Sequence, residues 1–190
     1  MILLRYGNTN TYFLNGLLID TDMPGTLDGL FRELKKNGLR LGDIRYVMAT
    51  HYHPDHMGLI SELMAHGVRL LLIDRQAAHV HFSDPIFARQ PLLRVQPIRE
   101  EEAVVIRCDE SRRFLAGLGI RGEIIPTDSH SADGVALITD DGDCLAGDIE
   151  PLSYLGGYED NAPLKKDWDA ILSRHPATVY FGHSNAVKVG

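Results

Sequence analysis

The sequence predicts a mixed α/β protein, and two observations carry that expectation. Short apolar, β-branched runs alternate with stretches whose apolar residues recur at helical spacing, and several runs end in a histidine or aspartate beside a turn. The chain has 190 residues, a length that suits one well-packed domain over residues 1–190.

Taken in order, Ile2 to Tyr6 and Thr11 to Leu14 read as strands. Asn15-Gly16 between Leu14 and Leu17-Leu18-Ile19 is the strongest hairpin signal, because a two-residue turn with both φ angles positive selects this pair. Asp20 closes the third strand, as a turn former or as a partner orienting a ligating histidine. Thr26 to Asn37 reads as an amphipathic helix, with Leu27, Leu30, Phe31 and Leu34 on one face and Gly38 as its stop. Ile44 to Ala49 is a strand, Leu59, Ile60, Leu63 and Met64 mark a helix closed by Gly67, and Val68 to Ile73 is the next strand.

Gln76 to Phe82 reads as helical. Its His79 and His81 are two residues apart and so do not share a helix face; exposed or pocket-lining positions suit them better than metal ligation. Ser83 to Glu102, with Pro85, Pro91 and Pro97, reads as a long irregular stretch of the kind that overhangs an active site. Ala103 to Cys108 is a strand, Glu110 to Leu118 a helix, and Gly122 to Ile125, Val135 to Thr139 and Cys144 to Ala146 are strands. Asn161-Ala162-Pro163 opens a helix carrying Leu164, Trp168, Ile171 and Leu172, and Thr178 to Phe181 is the last strand.

The chemistry concentrates in His51-Tyr52-His53-Pro54-Asp55-His56, directly after a strand. In an extended segment, side chains two apart point the same way, so His51 and His53 can hold one cation. Pro54 breaks the strand, and Asp55 and His56 then serve a second cation next to the first. Unmetallated, three imidazoles packed this closely would repel one another on protonation. His130, Asp148 and His183 each lie at or near another strand end: His130 completes three imidazoles on the first ion, His183 joins Asp55 and His56, and Asp148 offers one oxygen to each ion. Cys108 and Cys144 form no C-x-x-C pair, and Cys144 reads as a small core residue.

Composition limits the partners. Nineteen Lys and Arg against 26 Asp and Glu give a net charge of −7, which argues against a nucleic-acid backbone and leaves a small-molecule substrate. No apolar run reaches membrane-spanning length, and the N-terminus lacks a signal-peptide pattern, so a cytoplasmic location is expected.

The His51–His56 motif, His130 in Asp-Ser-His-Ser, Asp148 in Ala-Gly-Asp and His183 in Phe-Gly-His resemble the metallo-β-lactamase superfamily. Asn10 and Asp20 are similar to residues of that family's N-terminal hairpins. The resemblance implies a four-layer αββα sandwich with a dinuclear site, holding two divalent ions, zinc first, with iron or manganese as alternatives. No Cys stands at the second site, and bridging Asp148 looks like that of hydroxyacylglutathione hydrolases, lactonases and phosphodiesterases rather than true β-lactamases. Seven residues follow His183, too few for the additional helical region of full-length hydroxyacylglutathione hydrolases. Asp128-Ser129 replaces the family's usual Pro-Gly before His130.

The expected function is hydrolysis of a small ester, thioester or lactone by a bridging hydroxide, with Asp55 moving its proton. Tyr154, in a glycine-rich loop with Tyr158, either donates to a developing oxyanion, as in related lactonases, or packs over the loop. The alternatives are a small-molecule phosphodiesterase and, further off, a β-lactamase or a redox-associated metal protein.

Overall fold

A computed structural model describes residues 1–157 and 161–189. The chain divides into two compact units, residues 1–107 and 108–190. Together they give a mixed α/β architecture with two sheets and accompanying helices.

The first unit is built on a six-stranded sheet in simple sequential order, from β1 (Ile2–Leu4), β2 (Thr11–Leu14), β3 (Leu17–Ile19), β4 (Tyr46–Met48) and β5 (Arg69–Ile73) to β6 (Val104–Ile106). The β2–β3 hairpin closes on Asn15 and Gly16 at φ 47° and 88°, as the sequence demands. From β3 onward the pairing is parallel, so the carboxyl ends of β3, β4 and β5 share one edge.

Helix α1 (Leu27–Lys36) buries Leu30 and Leu34. It ends where Gly38 takes φ 71° and the Leu39 N–H returns to the Leu34 carbonyl. The short α2 (Pro54–Met57) and α3 (Ile60–Ala65) follow β4, and Leu59, Ile60 and Leu63 are fully buried with Leu18, Val47 and Leu70 in one apolar cluster.

Two expectations change between residues 74 and 102. The helix expected over Gln76 to Phe82 is a 3-10 turn, Asp74–His79, because Gln76 turns inward to hydrogen-bond the main chain beyond β4. The stretch expected to be irregular contains α4 (Asp84–Ala88), with Pro85 in its first turn, and 3-10 turns at Pro91–Leu93 and Glu100–Glu102. Buried Val80, Phe87 and Ile98 tie this stretch to the core.

The second unit opens with α5 (Cys108–Gly117), which starts two residues before the expected Glu110. Its five-stranded sheet holds β7 (Gly122–Pro126), β8 (Val135–Thr139), β9 (Asp143–Leu145), β10 (Thr178–Tyr180) and β11 (Val187–Lys188), in the order β11-β10-β9-β8-β7. β11 was not legible in the sequence: it has two exposed residues and no apolar alternation. Since β7 and β9 are each antiparallel to β8, and β10 is parallel to β9, the carboxyl ends of β7, β9 and β10 lie along one edge.

Helix α6 (Ala162–Leu172), capped by the Asn161 side chain, buries Leu164, Trp168 and Ile171 against Ile125, Ile138 and Val179. Cys144 sits in this core, where burial pushes its thiol up to about 12, in keeping with a packing role. Among the described residues, no helix is long and apolar enough to cross a membrane.

Candidate metal centre

In the first unit, three parallel strands deliver a polar set to one edge. β3 ends at Asp20, β4 runs into Thr50 and His51, and β5 leads to Gln76. The Asp20 N–H donates to the Met48 carbonyl at 2.9 Å, extending the β3–β4 ladder by one rung. Asp20 itself takes φ 57°, a conformation Asp tolerates better than most residues.

Its buried carboxylate accepts from the Thr50 N–H at 2.6 Å and from the Thr50 hydroxyl at 2.9 Å, and lies 3.0 Å from His56 Nδ1. His51 Nδ1 is 3.2 Å from the same Thr50 hydroxyl. Of the two readings open for Asp20, the carboxylate that orients histidine is therefore the one its contacts match.

These contacts assign the His51 tautomer. The single Thr50 hydroxyl proton goes to the carboxylate, so the oxygen accepts from His51 Nδ1–H, while His56 Nδ1 stands beside the Asp20 carboxylate as a close polar contact. His51 is thereby left with an Nε2 lone pair. His51 Nε2 faces His53 Nδ1 at 3.0 Å, and the rings of His51 and His56 approach to 4.1 Å between centroids. His56 Nε2 is also 4.0 Å from an Asp55 oxygen. Imidazole nitrogens converging beside a carboxylate, backed by the buried Asp20 carboxylate and the Thr50 hydroxyl, form a donor set that fits a divalent cation.

Side chains distant in sequence brace this corner. The Gln76 amide donates to the carbonyls of Ala49 and Thr50, and the Ser83 hydroxyl donates to the Tyr52 carbonyl at 2.8 Å. The Thr21 N–H donates to the His56 carbonyl, and the Thr21 hydroxyl accepts from the Leu59 N–H. Gly58 permits this approach, since a Cβ there would stand 2.4 Å from the Asp22 carbonyl oxygen. Sequence reasoning missed Thr21, Thr50, Gln76 and Ser83 as supports. Only Thr50, adjoining the motif, carried a local signal.

In the second unit, His130 follows β7, Asp148 follows β9 and His183 follows β10. The ladder of the last two strands continues past their ends: the Ala146 N–H donates to the Tyr180 carbonyl, and the Gly182 N–H donates to the Gly147 carbonyl at 2.8 Å. Gly147 takes φ 61°. Asp148 Oδ2 then stands 3.3 Å from His183 Nε2 and 3.8 Å from His130 Nε2.

Neighbouring residues of α6 hold two of these loops. Buried Asp167 accepts from the Ser129 N–H at 2.7 Å, and the Trp168 indole donates to the Glu150 carbonyl at 2.9 Å. The Asp167 contact supplies an anchor for the loop in which Asp128-Ser129 replaces the expected Pro-Gly. Tyr154 lies on an exposed turn, Leu152–Gly156, and Tyr158 falls outside the described residues. His81 is held between Asp84 at 2.8 Å and Glu100 at 2.9 Å rather than beside the His51–His56 donors.

Two sheet edges furnished with imidazole and carboxylate donors define a metal-binding α/β protein. The chain belongs to the metallo-beta-lactamase superfamily, whose profile matches residues 4–183. Members of this superfamily are mostly metal-dependent hydrolases and typically bind two metal ions.

Among curated relatives, "Probable metallo-hydrolase MJ0888" of Methanocaldococcus jannaschii is 28% identical over 141 residues, 70% of this chain and 64% of that protein. "Lactamase-like protein aptB" of Emericella nidulans is 28% identical over 108 residues, covering 54% of this chain and 32% of that one. The chain thus spans less than two thirds of the length of either.

A metallo-beta-lactamase family protein of Thermus thermophilus, TTHA1429, superimposes with a TM-score of 0.70 at 24% identity, covering 95% of this chain and 70% of that one. TTHA1623, solved in a di-iron-bound form, gives 0.67 at 23% identity, covering 95% and 89%. At these identities the likeness shows the fold.

Proposed function

We propose that the chain is a dinuclear metal-dependent hydrolase acting on a small ester, thioester or lactone, of the branch that includes hydroxyacylglutathione hydrolases and lactonases. The observation that carries this reading is the convergence of His51, His53, Asp55 and His56, with His51 Nε2 3.0 Å from His53 Nδ1 and His56 Nε2 4.0 Å from an Asp55 oxygen, backed by Asp20 and Thr50. In this reading His51, His53 and His130 hold one ion, Asp55, His56 and His183 hold the other, and Asp148 contributes to both. Bound divalent ions supply Lewis acidity and lower the pKa of water to roughly 7.

The chain's own residues do the rest. Asp55, partly open to solvent, accepts the proton of the attacking water and passes it to the leaving group. Asp20, through Thr50, keeps His51 in one tautomer through the cycle, and its carboxylate stands beside His56. Tyr154 is the proposed donor to the developing oxyanion. Zinc is the preferred metal, given the histidine-rich donor set; the di-iron form of TTHA1623 makes iron the alternative. The net charge of −7 favours a small substrate, and the reaction is assigned to the cytoplasm.

The test is elemental analysis of the purified protein, followed by a panel of chromogenic ester, thioester, lactone, β-lactam and bis-aryl phosphate substrates. About two metal ions per chain and turnover on the first three classes are expected. His53→Ala should lose metal and turnover together. Full activity in metal-stripped protein, or turnover of the β-lactam alone, would overturn the assignment.

A further inference from the structure

Phe82 is accounted for neither by the core nor by the donor sets. The main chain around it is fixed: Val80 and Ser83 are fully buried, and Phe87 is packed in the first unit's core. The Phe82 N–H donates to the His79 carbonyl at 2.9 Å, and the Ser83 hydroxyl ties the next residue to Tyr52. On the other side, His81 is clasped by Asp84 and Glu100. Yet the Phe82 side chain is 56% exposed. Its ring lies against the His53 imidazole, with centroids 5.7 Å apart and planes at 37°.

A phenyl group held half in water gains little from burial, and a polar residue would serve the turn as well. What the aromatic adds is a rigid apolar surface beside a proposed metal ligand, the combination that lines small-molecule sites: mostly apolar walls with a few convergent polar groups. We infer that Phe82 is a specificity-determining residue, forming the apolar wall against which the acyl portion of the substrate lies while its reacting carbonyl is at the donors. The inference rests on the hydrolase reading and names its substrate class more narrowly, as esters or thioesters of hydrophobic carboxylic acids. The wall abuts His53, so it contacts the carbon atoms close to the reacting group, and its contribution grows over the first carbons of the acyl chain and then levels off.

The experiment uses the metal-loaded protein, its Phe82→Ala and Phe82→Leu variants, and straight-chain carboxylic acids from acetate to octanoate as probes in calorimetric titrations. Aryl esters of the same acids are assayed in parallel, and metal content is measured for each protein. Affinity is expected to rise with chain length in the wild type. Phe82→Ala should weaken octanoate binding by about tenfold, within the range a hydrophobic pocket contact supplies, and flatten the trend, while Phe82→Leu recovers most of it. Equal metal content in the three proteins would assign the effect to the wall rather than to His53.

No rise in affinity from acetate to octanoate in the wild type, or the same rise in Phe82→Ala, overturns the inference. The two readings fail separately. Length-dependent binding without hydrolysis of any ester defeats the hydrolase assignment and keeps the wall, whereas hydrolysis with length-independent binding defeats the wall alone.

Discussion

The donor-bearing edges of the two units present the same residue types by different means. In the first, all four donors come from six consecutive residues, and two of the imidazoles, His51 and His56, are buried beside one carboxylate and one hydroxyl. In the second, three loops supply one donor each. The side chains of His130 and His183 keep 34% and 41% of their surface exposed, and the loops are set by main-chain ladder bonds and by α6. The first edge is thus preorganised through side chains, the second through backbone. Damage to the first should strike stability and metal affinity together. Damage to the second should alter metal affinity more mildly.

The largest expected effect is at Asp20. Asp20→Ala leaves the Thr50 N–H and hydroxyl without their acceptor in a buried site, which should cost roughly 1–3 kcal/mol for each orphaned donor. Asp20→Asn keeps the shape and the tolerance for positive φ but removes the charge. It should keep the fold and lower metal affinity 10- to 100-fold, read by chelator competition. An Asp20→Asn protein with wild-type metal affinity would break the contrast.

Asp167→Ala, the counterpart in the second unit, removes the acceptor of the Ser129 N–H and should cost about 1.5–3 kcal/mol in urea denaturation. Its metal affinity should fall less than that of Asp20→Asn. A larger fall would mean that α6 governs the His130 loop as tightly as Asp20, through Thr50, governs His51. Trp168→Phe loses the bond to Glu150 while keeping most of the ring volume, and about 1 kcal/mol is expected.

The same contrast explains what the sequence revealed. The parallel strands of both sheets end at one edge of each, so a reading that followed strand ends found Asp20, the motif, His130, Asp148 and His183. Asn15-Gly16 and the Leu27–Lys36 helix were legible for the same reason: their signals are local. The supports were not. Gln76 reaches back 26 and 27 residues to carbonyl groups, Ser83 reaches 31, and Asp167 reaches 38 to an amide; side-chain-to-backbone bonds at such separations leave no periodic trace. Gln76 also shows how such a bond can override local propensity, since its inward turn goes with a 3-10 run where helical spacing was expected.

The smallest expected effect is at His81, in the same segment as Phe82. Both of its ring nitrogens face carboxylates, and only the imidazolium can donate to both. Glu100 first, and then Asp84, hold its pKa above the ordinary 6.5, against a partial opposing effect of burial. The stabilisation is therefore fully present below pH 6.5 and is lost as pH rises through the elevated value.

Glu100 is held below 4.5, chiefly by a main-chain hydrogen bond and next by His81, so its contribution is complete above pH 4.5 and disappears as pH falls through the lowered value. Between these limits the clasp closes the chain from α4 to the Glu100–Glu102 turn; above them it loosens. Hydrogen exchange across residues 84–102, corrected for the intrinsic rate, should be severalfold faster at pH 8.5 than at pH 5.5 in the wild type, and should show no such step in His81→Gln. A step that survives in the variant would assign the pH response to groups other than the clasp. Its loss would show that the first unit is adjustable at residues 84–102, the stretch that follows Phe82.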